Sequence, residues 1–431
     1  MTLETLLHQL DASTAGREMH SFAAMLYPWC RSITGDAFRD TLYAVNKRIP
    51  IKLHEVPSGT HVLDWTVPDE WNIRDAFIKN ASGDRIIDFR NHNLHVVNYS
   101  VPVDHRMSLS ELRPYLHSLP EKPDWIPYRT TYYKKTWGFC LTHRQLTDLP
   151  DGEYHVVIDS TLKPGHLTYG ELFLPGQIED EVLISVHCCH PSLANDNLSG
   201  IVVATRLAQE LRRIDRRYSY RFLFVPGTIG AITWLSLNET VAARVAHGLV
   251  LTCIGDSGGF TYKKSRRSDT EIDRAAAHVL RWSKEQHRVV DFVPYGYDER
   301  QYCSPGFNLP VGCFMRSPHG EFPEYHTSGD NLDFVRPEAL GSSLTTLLRI
   351  IEVLEGNYRY LNLYPKGEPQ LGKRGLYGPV GEQVMATLWI LNLADGEHSL
   401  LDIAERANIP FSTLKAAASK LLEQQLVATI A

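Results

Sequence analysis

The run Val182-Leu183-Ile184-Ser185-Val186 is apolar at all positions but one and ends on His187. A strand with this pattern has no face to offer to water, so it must lie inside a sheet that is covered on both sides. That requirement limits the surrounding chain to layers in which helices flank a central sheet. Segments 220–225, 248–254 and 309–314 read as further buried strands, and segments 198–212, 272–286 and 340–355 carry helical periodicity. Alternation of this kind predicts an α/β fold with a mainly parallel sheet. In such folds functional groups collect at the C-terminal ends of the strands.

With 431 residues the chain exceeds what one core organises, and its texture changes along its length. Residues 12–48 are helical, with Phe22, Met25, Leu26 and Trp29 at helical spacing and a break at Gly35-Asp36. From 51 to 154, short β-branched or alternating runs are broken by Pro and Gly, which marks an inserted β-rich module. The α/β domain is therefore expected to comprise 1–50 and 155–364. A linker over 365–379 leads to a last unit, 378–431, whose three short helices and sharp turn at Ile409-Pro410 resemble a winged helix.

Hydrophobic residues make up 43% and charged residues 22%, as in ordinary water-soluble domains. A net charge of −6 gives no electrostatic reason for a nucleic-acid or anionic-membrane partner. No stretch is apolar enough to span a bilayer, and residues 1–8 lack the basic and apolar regions of a secretory leader. Seven scattered cysteines fit a reducing cytoplasm better than a disulfide framework. A cytoplasmic location is expected, and homo-oligomerisation is left open.

Four side chains stand out as metal-ligand candidates. His187 closes the first buried strand. Asp196 lies in the loop that opens the next helix, where Asn197, Ser199 and Gly200 suit a tight turn and a helix start. Asp256 is read at the end of the third strand, and His326 follows the fourth. Imidazole nitrogen and carboxylate oxygen are donors that zinc prefers, and a catalytic site leaves one position open for water. Each residue alone has an ordinary explanation as a turn residue, a helix cap or a polar side chain. The case rests on their occurring together at the ends of the right strands. His190 is the alternative to His187 as a ligand, or a support for it; His187 is preferred because a strand end fixes it more rigidly. Cys188 and Cys189 read as packing residues, since no second cysteine pair has zinc-knuckle spacing.

His187, Asn195-Asp196-Asn197-Leu198-Ser199-Gly200, Asp256 and Tyr325-His326-Thr327-Ser328-Gly329-Asp330-Asn331 together resemble the zinc exopeptidase superfamily, specifically the co-catalytic di-zinc aminopeptidases. The three-part layout is similar to that of an aminopeptidase-like family with an inserted β-rich module and a C-terminal winged helix. The resemblance implies a zinc-peptidase domain and carries ligand roles onto His187, Asp196, Asp256 and His326, of which His187, Asp196 and His326 are expected to hold the metal. Asp256 would be a fourth ligand or would accept a substrate ammonium group. It also implies hydrolysis of an aminoacyl bond in a short peptide or small aminoacylated metabolite.

The chain departs from that superfamily after the second strand. A Glu-Glu pair there supplies the general base and a ligand to the second zinc, whereas this chain reads Pro226-Gly227-Thr228-Ile229-Gly230. One zinc is therefore expected, with the base drawn from elsewhere. Glu324 is one candidate, because on an extended segment it would face the same way as His326. Glu299 is the other, and Arg300 is a candidate to hold a substrate carboxylate or carbonyl. The same missing pair supports a competing reading, a non-catalytic metal-binding scaffold. The aromatic and basic segment 126–135 would line a cap over the cleft or form the module's β-core, the core reading being favoured. Helix 411–420 carries only two lysines, which favours packing or dimerisation over DNA binding.

Overall fold

The structure is a computed structural model that describes residues 1–378 and 381–430; Pro379, the last residue of the linker read from sequence, lies outside them. The central sheet contains β1 (Lys52–Pro57), β2 (His166–Leu174), β3 (Glu181–His187), β4 (Ser219–Val225), β5 (Val245–Leu251), β6 (Phe260–Lys263), β7 (His287–Val290) and β8 (Val311–Met315). Their order across the sheet is β1-β2-β4-β3-β5-β8-β6-β7. The four middle strands, β4-β3-β5-β8, are parallel. Antiparallel pairings attach β2 to β4, β1 to β2 and β6 to β8, while β7 runs parallel to β6.

The apolar run sits at the centre of this sheet. Val182, Leu183, Ile184 and Val186 are each 0% exposed, the burial that their sequence demands. Helices Ala12–Leu26, Gly200–Leu211 and Pro337–Gly356 pack against one another. Two glycines set their closest approach. A Cβ on Gly16 would lie 2.0 Å from Pro337 O, and one on Gly341 would lie 2.2 Å from Ala12 O. Only residues without a side chain let the two backbones meet there.

Three boundaries differ from the sequence reading. β5 stops at Leu251, because Cys253 turns into the left-handed region at φ 50°. Asp256 is therefore well past the strand end. The inserted sheet, ordered Arg85–Asp88, Glu70–Lys79, Glu153–Lys163 and Val103–Ser108, extends beyond 154, whereas β1 belongs to the central sheet. Strands of both sheets share one β-branched texture, so texture alone did not separate them. The third difference is at the C-terminus. Strand Arg359–Asn362 precedes the linker, yet it is the middle strand of the sheet completed by Asp395–Ser399 and Val427–Ile430.

Helices Glu382–Leu393, Leu400–Ala407 and Phe411–Glu423 complete this C-terminal unit. Its buried apolar side chains, Leu400, Phe411 and Leu414 among them, join the core of the α/β domain, and polar contacts add to the docking. Arg274 pairs with Asp402 at 2.6 Å, and His278 Nε2 accepts the Phe411 amide at 3.0 Å. Lys415, one of the two lysines noted above, reaches Glu352 at 3.0 Å and so spends its charge within the protein. Among the described residues no helix is long and apolar enough to cross a membrane.

Candidate metal centre

The segment after β3 is held by its own polar residues. Asn195 Nδ2 donates to Asp256 Oδ2 at 2.9 Å, and Asn195 Oδ1 accepts the Gly255 amide at 2.9 Å. Asn197 Nδ2 donates to Leu251 O at 2.9 Å, while its Oδ1 accepts the Gly200 amide at 3.1 Å. Asp330, from the chain beyond β8, accepts the amides of Asn195 at 2.6 Å and Asp196 at 3.0 Å. With both neighbours tied down, the Asp196 side chain is left to meet the histidines.

His187 Nε2 lies 2.8 Å from Asp196 Oδ1, and His326 Nε2 lies 3.1 Å from Oδ2. His190 Nε2 stands 3.9 Å from the same Oδ2. His187 and Asp196 are fully buried. Burial pushes the Asp196 carboxyl up, but the His190, His187 and His326 imidazoles outweigh it and hold the group well below the usual carboxylate range. Burial lowers His190 well below an ordinary imidazole, against the pull of Asp196. Metal ligation requires the ionised carboxylate, the form these neighbours favour at Asp196. His187, His190 and Asp196 offer donor atoms within 4.8 Å of one another, so the set fits zinc in both chemistry and spacing.

The other expected residues are placed differently. Asp256 is 1% exposed, and its oxygens accept from Gly258 N at 2.7 Å, Ser317 Oγ at 2.7 Å and Asn195 Nδ2. Ser317 N adds a fourth bond to Oδ2 at 3.3 Å, so both oxygens are engaged in anchoring the loops. Glu299 is fully buried, pairs with Lys263 and accepts the Tyr297 amide at 3.0 Å, which removes it as a free base. Arg300 is half-buried, with Nε unpartnered, and its charge acts on buried Asp298. Glu324 is half-buried, but its segment is not extended. Tyr325 N donates to Phe322 O at 3.2 Å and Thr327 N to Glu324 O at 3.1 Å, while His326 has φ 53°. The same-face argument for Glu324 and His326 therefore fails, since alternation holds only in strands.

Several residues at the site were missed or undervalued. His190 belongs beside His187 and does not replace it. His319 follows β8 and packs 5.7 Å from the Tyr297 ring; its place past a parallel strand was the signal that could have flagged it. Segment 126–128 of the inserted module reaches the centre, against the favoured core reading. Tyr128 N donates to His326 O at 2.8 Å, Ser328 N donates to Ile126 O at 2.8 Å, and the Tyr128 ring meets His326 edge-on at 5.1 Å.

The family described as "Domain of unknown function (DUF4910)" matches residues 20–357, and a winged helix-turn-helix family matches residues 358–429. The chain belongs to the DUF4910 family. A Clostridium acetobutylicum protein, named provisionally as a polysaccharide biosynthesis protein with aminopeptidase-like domain, is 49% identical over 97% of both chains. A crystal structure from that organism, named provisionally as a peptidase, superposes with a TM-score of 0.95 at 48% identity, covering 97% of this chain and 98% of that one. A zinc aminopeptidase from Bacillus subtilis shares the fold, with a TM-score of 0.58 at 12% identity over 80% of this chain and 95% of the other. The DUF4910 chain thus has an aminopeptidase-like fold.

Within this DUF4910 chain, Tyr297 stands where an acidic pair was expected. A Cβ on Gly227 would lie 2.0 Å from Tyr297 Cε1, so any side chain at 227 collides with the ring. The ring packs 3.8 Å from that of His187, and its hydroxyl is 3.6 Å from Cys189 Sγ. Asp298, the next residue, is fully buried with both oxygens unpartnered. Burial and then the neighbouring Glu299 push its carboxyl up to about 8, against the opposing charge of Arg300. A folded pKa above the unfolded 3.8 means the folded state binds this proton more tightly. Its stabilising effect is complete below about pH 4 and is lost as pH rises toward 8. Relative to Asp298→Asn, the wild type should lose on the order of a few kcal/mol between pH 5 and 8. Parallel stability–pH profiles in thermal melts of the two proteins would refute this.

Proposed function

We propose that this chain is a zinc-dependent aminopeptidase or related amide hydrolase. Its substrate class is a short peptide or a small aminoacylated metabolite. The observation that carries the reading is the placement of three imidazole Nε2 atoms around both oxygens of buried Asp196. His187, His190, His326 and Asp196 would hold the ion. When bound, zinc supplies a polarised scissile carbonyl and a water acidified toward neutral pH. The ring of Tyr297 against His187 and that of Tyr128 against His326 would hold the imidazoles in place. Of the two candidate bases, Glu299 is already paired with Lys263. The half-buried Glu324 is therefore proposed as proton acceptor on its place two residues before His326, without the same-face geometry. A cytoplasmic setting suits the seven free thiols.

A second reading, a non-catalytic metal scaffold, draws support from Gly227 and the Tyr297 ring packed on it. Zinc analysis combined with a panel of aminoacyl amides, short peptides and amide-bearing saccharides separates the two. The saccharides are included because the Clostridium relative's name refers to polysaccharide biosynthesis. The expected result is hydrolysis that a chelator abolishes and zinc restores. Bound zinc without turnover across the panel would favour the scaffold, and a chain that binds no zinc would reject both.

A further inference from the structure

We propose that Asp196 also serves a second cation site, completed by Cys253 and His319 and selective for a thiophilic divalent cation such as zinc. The proposal builds on the zinc reading above and shares its carboxylate. Two of its ligands are new, and the zinc reading needs neither. Donor atoms of Asp196, Cys253 and His319 lie within 4.8 Å of one another. Cys253 is fully buried, and Asp196 is fully buried beside it.

The sheet explains how these donors meet. β5 and β8 are adjacent and parallel. Cys253 follows the end of β5 and His319 follows the end of β8, on the edge of the sheet where β3 delivers His187. Thr252 ties the pair together, with Oγ1 3.1 Å from His319 Nε2 and donating to Cys253 Sγ at 3.6 Å. The left-handed turn at Cys253, φ 50°, comes two residues after the strand ends at Leu251 and brings the thiol into the cluster. Among the described residues, Cys253 alone of the seven cysteines joins such a donor group.

Donor chemistry decides the class of ion. Thiolate with imidazole selects zinc-like cations over magnesium or calcium, which prefer all-oxygen sets. The ion would take the place of the thiol proton, which leaves to solvent as Cys253 becomes a thiolate ligand. The missing Glu pair belongs to the β4 side of the site, whereas this replacement comes from β5 and β8. The loss of the acidic ligand in that pair thus removes one way of holding a second ion and leaves another.

Chelator-stripped full-length protein titrated with cobalt(II), followed by absorption and by metal analysis, tests the proposal. The expected result is two cobalt ions per chain, one of them bringing a thiolate-to-cobalt charge-transfer band in the near ultraviolet. Cys253→Ser should remove that band and one ion while the other is retained. His319→Gln should weaken the band-forming ion by about 10-fold or more. One ion without a thiolate band in the wild type would overturn the second site and leave the zinc reading intact. A band that survives Cys253→Ser would also overturn it, and no bound cobalt at all would overturn both.

Discussion

Asparagine at position 196 should strip the metal from this protein and lower its hydrolytic rate by more than about 100-fold. Losing a mere support of a ligand already costs 10- to 100-fold, so losing a ligand itself should exceed that range. The substitution is nearly isosteric, and the Asp196 amide keeps its bond to Asp330. What changes is the charge. His187, His190 and His326 surround both carboxylate oxygens, and an amide offers them one neutral oxygen and an NH2 group that competes as a donor. Circular dichroism and thermal melting should show a folded chain. Metal analysis and the substrate panel should show neither zinc nor turnover. A folded, active, metal-replete Asp196→Asn variant would remove the basis of the whole site.

Asp330→Ala should give the second largest effect, and it acts on folding as well as on the metal. Asp330 is fully buried and accepts the Asn195 and Asp196 amides. Truncation leaves two buried donors without partners, at about 1–3 kcal/mol each. Burial pushes the Asp330 carboxyl up to about 8, against those same hydrogen bonds, so deleting it recovers part of the loss. A net destabilisation of about 2–3 kcal/mol is expected, together with a 10- to 100-fold fall in metal affinity as the Asp196 loop loosens. Asp330→Asn, which keeps one carbonyl acceptor, should retain part of both. Wild-type melting and wild-type zinc competition in Asp330→Ala would reject this role.

The fold was legible where one residue type dominates a face. Apolar β3 announced a two-sided sheet, and Asn197, Ser199 and Gly200 announced the turn into the next helix, which begins at Gly200. The flanking strands β6 and β7 were less legible, because four-residue strands carry too little periodicity to read. Asp256 shows a different limit. Sequence placed an acid near a strand end, but only the structure shows its oxygens engaged by Gly258, Ser317 and Asn195. Glu299 fails for the same reason, since its partner Lys263 is distant in sequence. Tyr297 was invisible for a third reason. Its importance depends on the space left by Gly227, and a missing side chain gives no pattern to read.

The hydrogen bonds between segment 126–128 and the His326 loop make the inserted module part of the machinery. His326 sits in a chain of turns with little structure of its own, and its carbonyl is fixed by an amide from residue 128. A ligand that depends on a neighbouring fold for its position cannot be in place before that fold has docked. On the proposed zinc reading, metal capture would await that docking and would report that it is complete. It also makes the module non-interchangeable: a different insertion at the same point would have to present the same edge to His326, or the centre would stand one imidazole short.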